Sequence, residues 1–251
     1  DVIRSGQRSD GAQNARAQID TYLGDHEQYI AKNPDESVEH FKERYAALSK
    51  FWINFTGGII DQLSGLYDNE ATRDAPDAGL VDRLSSLPVD CVMQEADRYA
   101  RLNGVSAIEA SYDPLDRAPL IRLLTRDNFE VWTAQGRPDI PVIVAKTSFD
   151  VGDNQPKWAE IWTAEQVLTF EQSQPGQGRL DQTGQEDNPY GRLPFVFVHD
   201  KMIIDTFYTP GLGNTIVPAN WHIDKLLLEH GWLMVKRTYP QRYAKGLEEG
   251  T

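Results

Sequence analysis

The residues best suited to chemistry lie near the end of the chain, in His222-Ile223-Asp224 and Glu229-His230. Positions 222 and 230 fall in a similar sector of a helix, so two imidazoles with Asp224 and Glu229 could share an ion there. The spacing is weakly specific. His-Glu-x-x-His is absent and no third ligand follows from the pattern, so solvated or capping histidines are the stronger reading. Glu109 with Asp113, and Glu248 with Glu249, are pairs of the kind used in acid–base work, but that work needs matched, perturbed environments. In a chain with 38 Asp and Glu such pairs arise by chance. No Gly-x-Ser-x-Gly elbow accompanies the serines. Gly211-Leu212-Gly213 follows a loop and lacks the strand-to-helix spacing of a dinucleotide fingerprint, and no Walker-type phosphate loop is present. The reading is therefore of a protein that is not an enzyme, with no cofactor, no catalytic residue and no metal site.

Composition narrows the remaining classes. The 251 residues, 40% of them apolar, are enough for one large domain or two small ones without a metal or disulfide. Cys91 is the single cysteine, which excludes an internal disulfide; with no signal peptide in the sequence it fits a reducing cytoplasm, where a small buried apolar role is expected for it. No apolar run is long enough to span a bilayer. Twenty-five Lys and Arg against 38 Asp and Glu leave a net charge of -13, whereas proteins that grip nucleic acid cluster cations against phosphates. DNA should be tolerated more than held, apart from a local basic group at Lys236-Arg237 and Arg242-Lys245.

The elements that would position these residues follow from periodicity. A short helix is expected from Ala12 to Ile30, weakened at Gly24-Asp25 and broken by Asn33-Pro34-Asp35. Val38, Phe41, Tyr45, Leu48, Trp52, Phe55, Ile59, Leu63 and Leu66 recur at steps of three and four, which predicts one long helix over 36–67. Gly57-Gly58 inside it calls for compensation, by close helix packing, a kink or a subunit contact. An acidic loop is expected over 67–79. A further helix, broken near Leu87-Pro88, should resume with Pro88 in its first turn and stop at Asn103-Gly104. From Val105 the period drops to two. Strands are expected at Ile108–Tyr112, Leu120–Thr125, Phe129–Thr133, Ile140–Thr147, Trp158–Thr163 and Val167–Phe170, with Phe195–Val198 returning to the same sheet. Gln172–Asn188, rich in Gln, Gly and Asp, reads as an exposed loop. A last helix should open near Pro218 and present Trp221, Leu226, Leu227, Trp232 and Val235 before Tyr239-Pro240. The class is α+β: long N-terminal helices on a mixed, mostly antiparallel sheet, then a C-terminal helix.

One ordered succession carries more than any single motif. It runs from Arg44-Tyr45 through Trp52-Ile53-Asn54, Gly57-Gly58-Ile59-Ile60-Asp61, Asn103-Gly104, Ser111-Tyr112-Asp113-Pro114, Phe129-Glu130-Val131-Trp132 and Glu160-Ile161-Trp162-Thr163. It ends at Asn188-Pro189-Tyr190-Gly191-Arg192-Leu193-Pro194-Phe195-Val196-Phe197-Val198. In that order these resemble the N-terminal half of a tailed-bacteriophage portal protein.

The resemblance implies a wing-like body with residues 1–104 as its helical part, 105–200 as its β-rich part and 201–251 as a loop and helix leading towards the stem. It implies a homo-oligomeric, dodecameric ring at the capsid vertex of the virion, assembled in the host cytoplasm. Such a ring would contact the major capsid protein, dock the terminase large subunit and the head–tail adaptor, and pass double-stranded DNA without sequence preference and without a membrane. Trp52, Phe55, Trp221 and Trp232 are the subunit-interface candidates; the residues that would touch DNA are not assigned. The sequence stops where the family's chain turns towards stem and clip, so it reads as a portal without its second half. Another virion or adaptor protein, and a soluble enzyme with a nonstandard site, are the alternative readings.

Overall fold

Gly104 divides the chain. Its backbone is left-handed, with φ 88°, and its N–H closes on Ala100 O, so the helix before it stops and a strand begins at once. The computed structural model describes residues 10–30, 36–48, 52–65, 69, 71–72, 79, 81, 85–113, 118–149, 156–172 and 180–238. Before Gly104 come α1 (Asp10–Tyr22), a 3₁₀ turn (Glu27–Tyr29), α2 (Val38–Leu48), α3 (Phe55–Leu63) and α4 (Val89–Asn103). After it come eight strands, and then α5 (Gly213–Thr238). The fold is α+β.

The expected single helix over 36–67 is two helices, α2 and α3, and 52–54 are not helical. The apolar spacing runs through the break, which is why periodicity alone misses it. Asn54 makes the break: its Oδ1 accepts from Gly57 N at 2.7 Å, capping α3, while its Nδ2 donates to Tyr22 O. The first helix likewise ends at Tyr22, short of Ile30, because Gly24 turns the chain with φ 84°. Pro88 stands as the N-cap of α4, one position before the first turn. Most of the expected acidic loop over 67–79, and Arg242, Lys245, Glu248 and Glu249, lie outside the described residues.

The strands form two sheets in place of one. β1 (Val105–Asp113) is central in a three-stranded sheet, flanked by β2 (Ala118–Leu124) and β8 (Phe195–His199), with Ala107 opposite Leu124 on one side and Phe197 on the other. β3 (Phe129–Ala134), β4 (Arg137–Phe149), β5 (Pro156–Trp162), β6 (Gln166–Gln172) and β7 (Leu180–Asp187) form a five-stranded meander in chain order. Every pairing is antiparallel. Over 180–187 the expected loop is instead the strand β7, while 173–179 lie outside the described residues. Among the described residues it is an edge strand paired with β6 alone, and a solvated edge tolerates Gln, Asp and Glu where a central strand would not. Phe195–Val198 does return to a sheet, but it bypasses the meander and joins β1.

Two apolar clusters hold the halves. Val105, Ala107, Phe129, Val131, Val144, Phe195 and Phe207 fill the space between the sheets, and α4 lies against β1, β2 and β8. Ile19, Ile60, Leu102 and Val217 join α1, α3, α4 and α5. α5 begins at Gly213, ahead of the expected opening at Pro218, which sits inside the helix. Leu212 starts that turn: its N–H bonds Arg101 O, and its carbonyl accepts from Thr215 and Ile216.

Candidate functional site: buried polar networks and exposed helix faces

α5 buries polar and apolar groups on one side and exposes large apolar side chains on the other. Its middle buries Asn220 and Asp224 completely, along with Val217 and Leu228, while Ile223, Leu226 and Leu227 face solvent. Leu226 and Leu227, which the apolar pattern of the expected helix included, are on its outer side. Leu226 is 49% exposed and Leu233 54%.

The buried polar pair has a definite task. Asp224 Oδ2 accepts from His26 Nε2 at 2.7 Å and from Asn220 Nδ2 at 2.6 Å, and its Oδ1 accepts from Ile53 N at 3.1 Å. Asn220 Oδ1 accepts from Thr56 N and Thr56 Oγ1, and its Nδ2 also donates to Ile53 O. The non-helical backbone at Ile53, and the N–H group of Thr56 that opens α3, thus find partners on one face of α5. The buried Asp224 carboxyl group is thus satisfied by three donors. Two atoms beside this network have no hydrogen-bond partner among the described residues: His26 Nδ1 and Trp52 Nε1, on rings that meet edge to face at 6.3 Å.

As chemistry, the His26–Asp224 pair has the orienting half of a triad. The other half is missing in this geometry, because the nearby hydroxyl of Thr56 is bonded to Asn220 and not to the imidazole. The proposed ion cluster on α5 is dispersed: Asp224 points inward to His26, whereas His222 and His230 are exposed. Among the described residues no group of three or more His, Cys, Asp or Glu could hold a metal ion. Glu109 is buried against Lys146, whose Nζ lies 2.9 Å from both Glu109 Oε1 and Glu160 Oε2 and within 5.9 Å of the Trp158 and Trp162 ring centroids. This ion cluster joins β1 to β4 and β5. Glu109 Oε2 has no partner among the described residues.

A third polar group lines a cleft of about 210 Å3 between α1, the end of α4 and the start of α5. Asn214 Oδ1 accepts from Asn14 and Gln18, and Gln18 Oε1 accepts from Asn103. Arg126 closes one side. Its guanidinium lies 3.8 Å over the Tyr208 ring and donates to Phe129 O and Glu130. Burial pushes the Tyr208 phenol up, so it stays protonated; its oxygen accepts from Val131 N at 2.6 Å and its hydroxyl donates to Glu130. With its charge so engaged, the cleft is a seam between helices more than a receptor for anions.

The four aromatic interface candidates are placed differently from one another. Trp52 is half-buried against His26 and Tyr45. Trp221 stacks on Tyr29 at 5.2 Å and donates to Thr21 Oγ1. Trp232 sets its face edge-on to His40, with Lys236 Nζ 4.7 Å from its centroid. Phe55 is 40% exposed and continues along α3 into Ile59 and Leu63. Ile59 and Leu63, counted in the apolar stripe of the expected long helix, face outward. Sequence reasoning did not single out the outward Ile223 and Leu233, nor the buried His26, Thr56, Asn220 and Lys146. Cys91, expected to be buried, is exposed on α4, whose neighbouring residues Asp90 and Val92 are half-buried.

No protein-family model matches the chain, and no curated protein matches it.

Proposed function

We propose that the chain is a structural subunit of a tailed-phage portal ring, forming part of its wing. The reading rests on the ordered motifs and is supported most by the large apolar side chains on the outer side of α5. A helix that is apolar on its outer side and buries polar groups on its inner side requires a second neighbour, because a helix apolar all round belongs in an interior. Ring packing supplies that neighbour. The polar inner side is compatible with this because its groups bond the chain's own backbone at Ile53 and Thr56.

In this role the protein supplies geometry, and ATP hydrolysis belongs to the terminase large subunit that docks on it. The major capsid protein surrounds the ring at one vertex, and the head–tail adaptor binds after packaging. Double-stranded DNA passes through with weak, sequence-independent contact, as suits a chain of net charge -13. The protein acts in the virion, after assembly in the host cytoplasm.

Native mass spectrometry of the full chain tests the proposal. Closed rings near twelve copies are expected. Monomers alone at micromolar concentration, across several salts and with the partner proteins present, would overturn it.

A further inference from the structure

Lys146 reaches partners in both sheets. On β4 it stands directly opposite Glu160 of β5, and Trp158 and Trp162 flank Glu160 on the same face of that strand, because alternate residues of a strand share a face. Glu109 comes from β1, in the other sheet. Its Oε1 and Glu160 Oε2 each stand 2.9 Å from Lys146 Nζ, which lies 5.3 Å from the Trp158 ring centroid and 5.9 Å from that of Trp162. Glu160 Oε2 also accepts from Trp162 Nε1 at 2.9 Å, which holds that ring against the carboxylate. Two features set this cluster apart from an ordinary ion pair. Two carboxylates converge on one ammonium, and Glu109 Oε2 is withdrawn from solvent with no hydrogen-bond partner among the described residues. Two indole rings then add the electron-rich faces that attract a cation.

We infer that Glu109, Glu160, Trp158 and Trp162 form a binding site for a primary alkylammonium ion, and that the chain fills it with its own Lys146. Everything that recognises the charge lies on residues other than the one that carries it. The carboxylate oxygens select an ion that has N–H donors to give, and the rings select a cation with an apolar stem. Lys146 is then a tethered ligand that fastens β4 and β5 to β1, and its stem supplies reach more than recognition. The site is independent of the ring reading.

Lys146→Ala in the full chain removes the atoms of n-propylammonium and so leaves the site open to that ion. Thermal melts followed by circular dichroism at matched ionic strength read the outcome. n-Propylammonium should raise the midpoint of Lys146→Ala saturably, since a ligand bound by the folded state alone stabilises it. 1-Propanol, which fills the same space without charge, and tetramethylammonium, which has charge without donors, should raise it much less. The unmodified chain and Lys146→Met, whose side chains already fill the space, should not respond. Adding Glu109→Gln to Lys146→Ala should weaken the apparent affinity for the amine by about tenfold or more, as loss of a charged hydrogen-bond partner does. If Lys146→Ala is unfolded by itself, recovery of its circular dichroism on refolding with the amine is the readout. An equal response to 1-propanol, an equal response of the unmodified chain, or no response to the amine in either readout would overturn the site.

Discussion

His26 Nε2 lies 2.7 Å from Asp224 Oδ2, between side chains that are both withdrawn from solvent and 198 residues apart in sequence. The contact pins the segment after α1 to the middle of α5, and the same carboxylate holds the backbone N–H of Ile53. Asp224→Ala would take an acceptor from three donors at once, two of them buried. The expected loss is about 3–5 kcal/mol, the range for breaking a buried charged contact. Urea unfolding of the variant measures it, and a loss below about 1 kcal/mol would show that the network carries little of the fold.

Adjacent glycines should respond with opposite signs. Gly58→Ala adds a methyl to open space in a helix interior and should stabilise the subunit by roughly 0.5–1 kcal/mol. Gly57→Ala pushes on Asn54, the residue that caps α3, and should cost about 1 kcal/mol, as loss of a cap does. Denaturant midpoints of the two variants decide this; equal shifts of the same sign would contradict the packing.

Lys146→Met leaves buried Glu109 without its cation, which should destabilise the chain by about 3–5 kcal/mol. Replacing both, as Lys146→Met with Glu109→Gln, should recover part of that loss, since the uncompensated charge is removed as well. Equilibrium unfolding of the single and double variants forms the test. A double variant no more stable than Lys146→Met alone would place the cost in packing against Trp158 and Trp162.

His199 gives the fold an acid sensitivity. Both ring nitrogens are buried without a partner among the described residues, the ring meets Phe207 edge-on, and burial lowers the imidazole below its ordinary value. The folded state therefore resists protonation more than the unfolded state does. This contribution is complete above the ordinary imidazole value near pH 6.5 and declines as pH falls through it towards the lowered folded-state value. His199→Leu should flatten the stability profile between pH 7.5 and 5. An unchanged slope in thermal melts across that range would rule the residue out.

What was legible in the sequence was local. Asn103-Gly104 announces a helix end because left-handed backbone is a property of one residue, and the alternation from Val105 announces β1 because inward and outward faces differ. The break before α3 was half legible. Asn54 is a good cap by type, yet Trp52, Phe55 and Ile59 keep helical spacing across it, and the spacing prevailed. β7 escaped because an edge strand open to water needs no apolar alternation. Least legible was α5. Its apolar residues marked a helix, but which side turns inward is set by what Asn220 and Asp224 must satisfy on a distant turn, and no local pattern encodes that partner. His26 and Lys146 were hidden for the same reason: their partners are brought by the fold, not by neighbouring residues.

The pairing of β8 with β1 orders the making of the fold. The meander from β3 to β7 consists of neighbouring hairpins, each closing a short loop, so it can assemble from local contacts. The first sheet cannot. β1 must keep one edge open while the whole meander is made, because the strand that covers it, with Phe197 opposite Ala107, arrives only afterwards. Closing that gap is the costly entropic step. Until it happens the edge of β1 is a template for any other strand, so crowded nascent chains are most exposed to mispairing during the interval between synthesis of β2 and of β8.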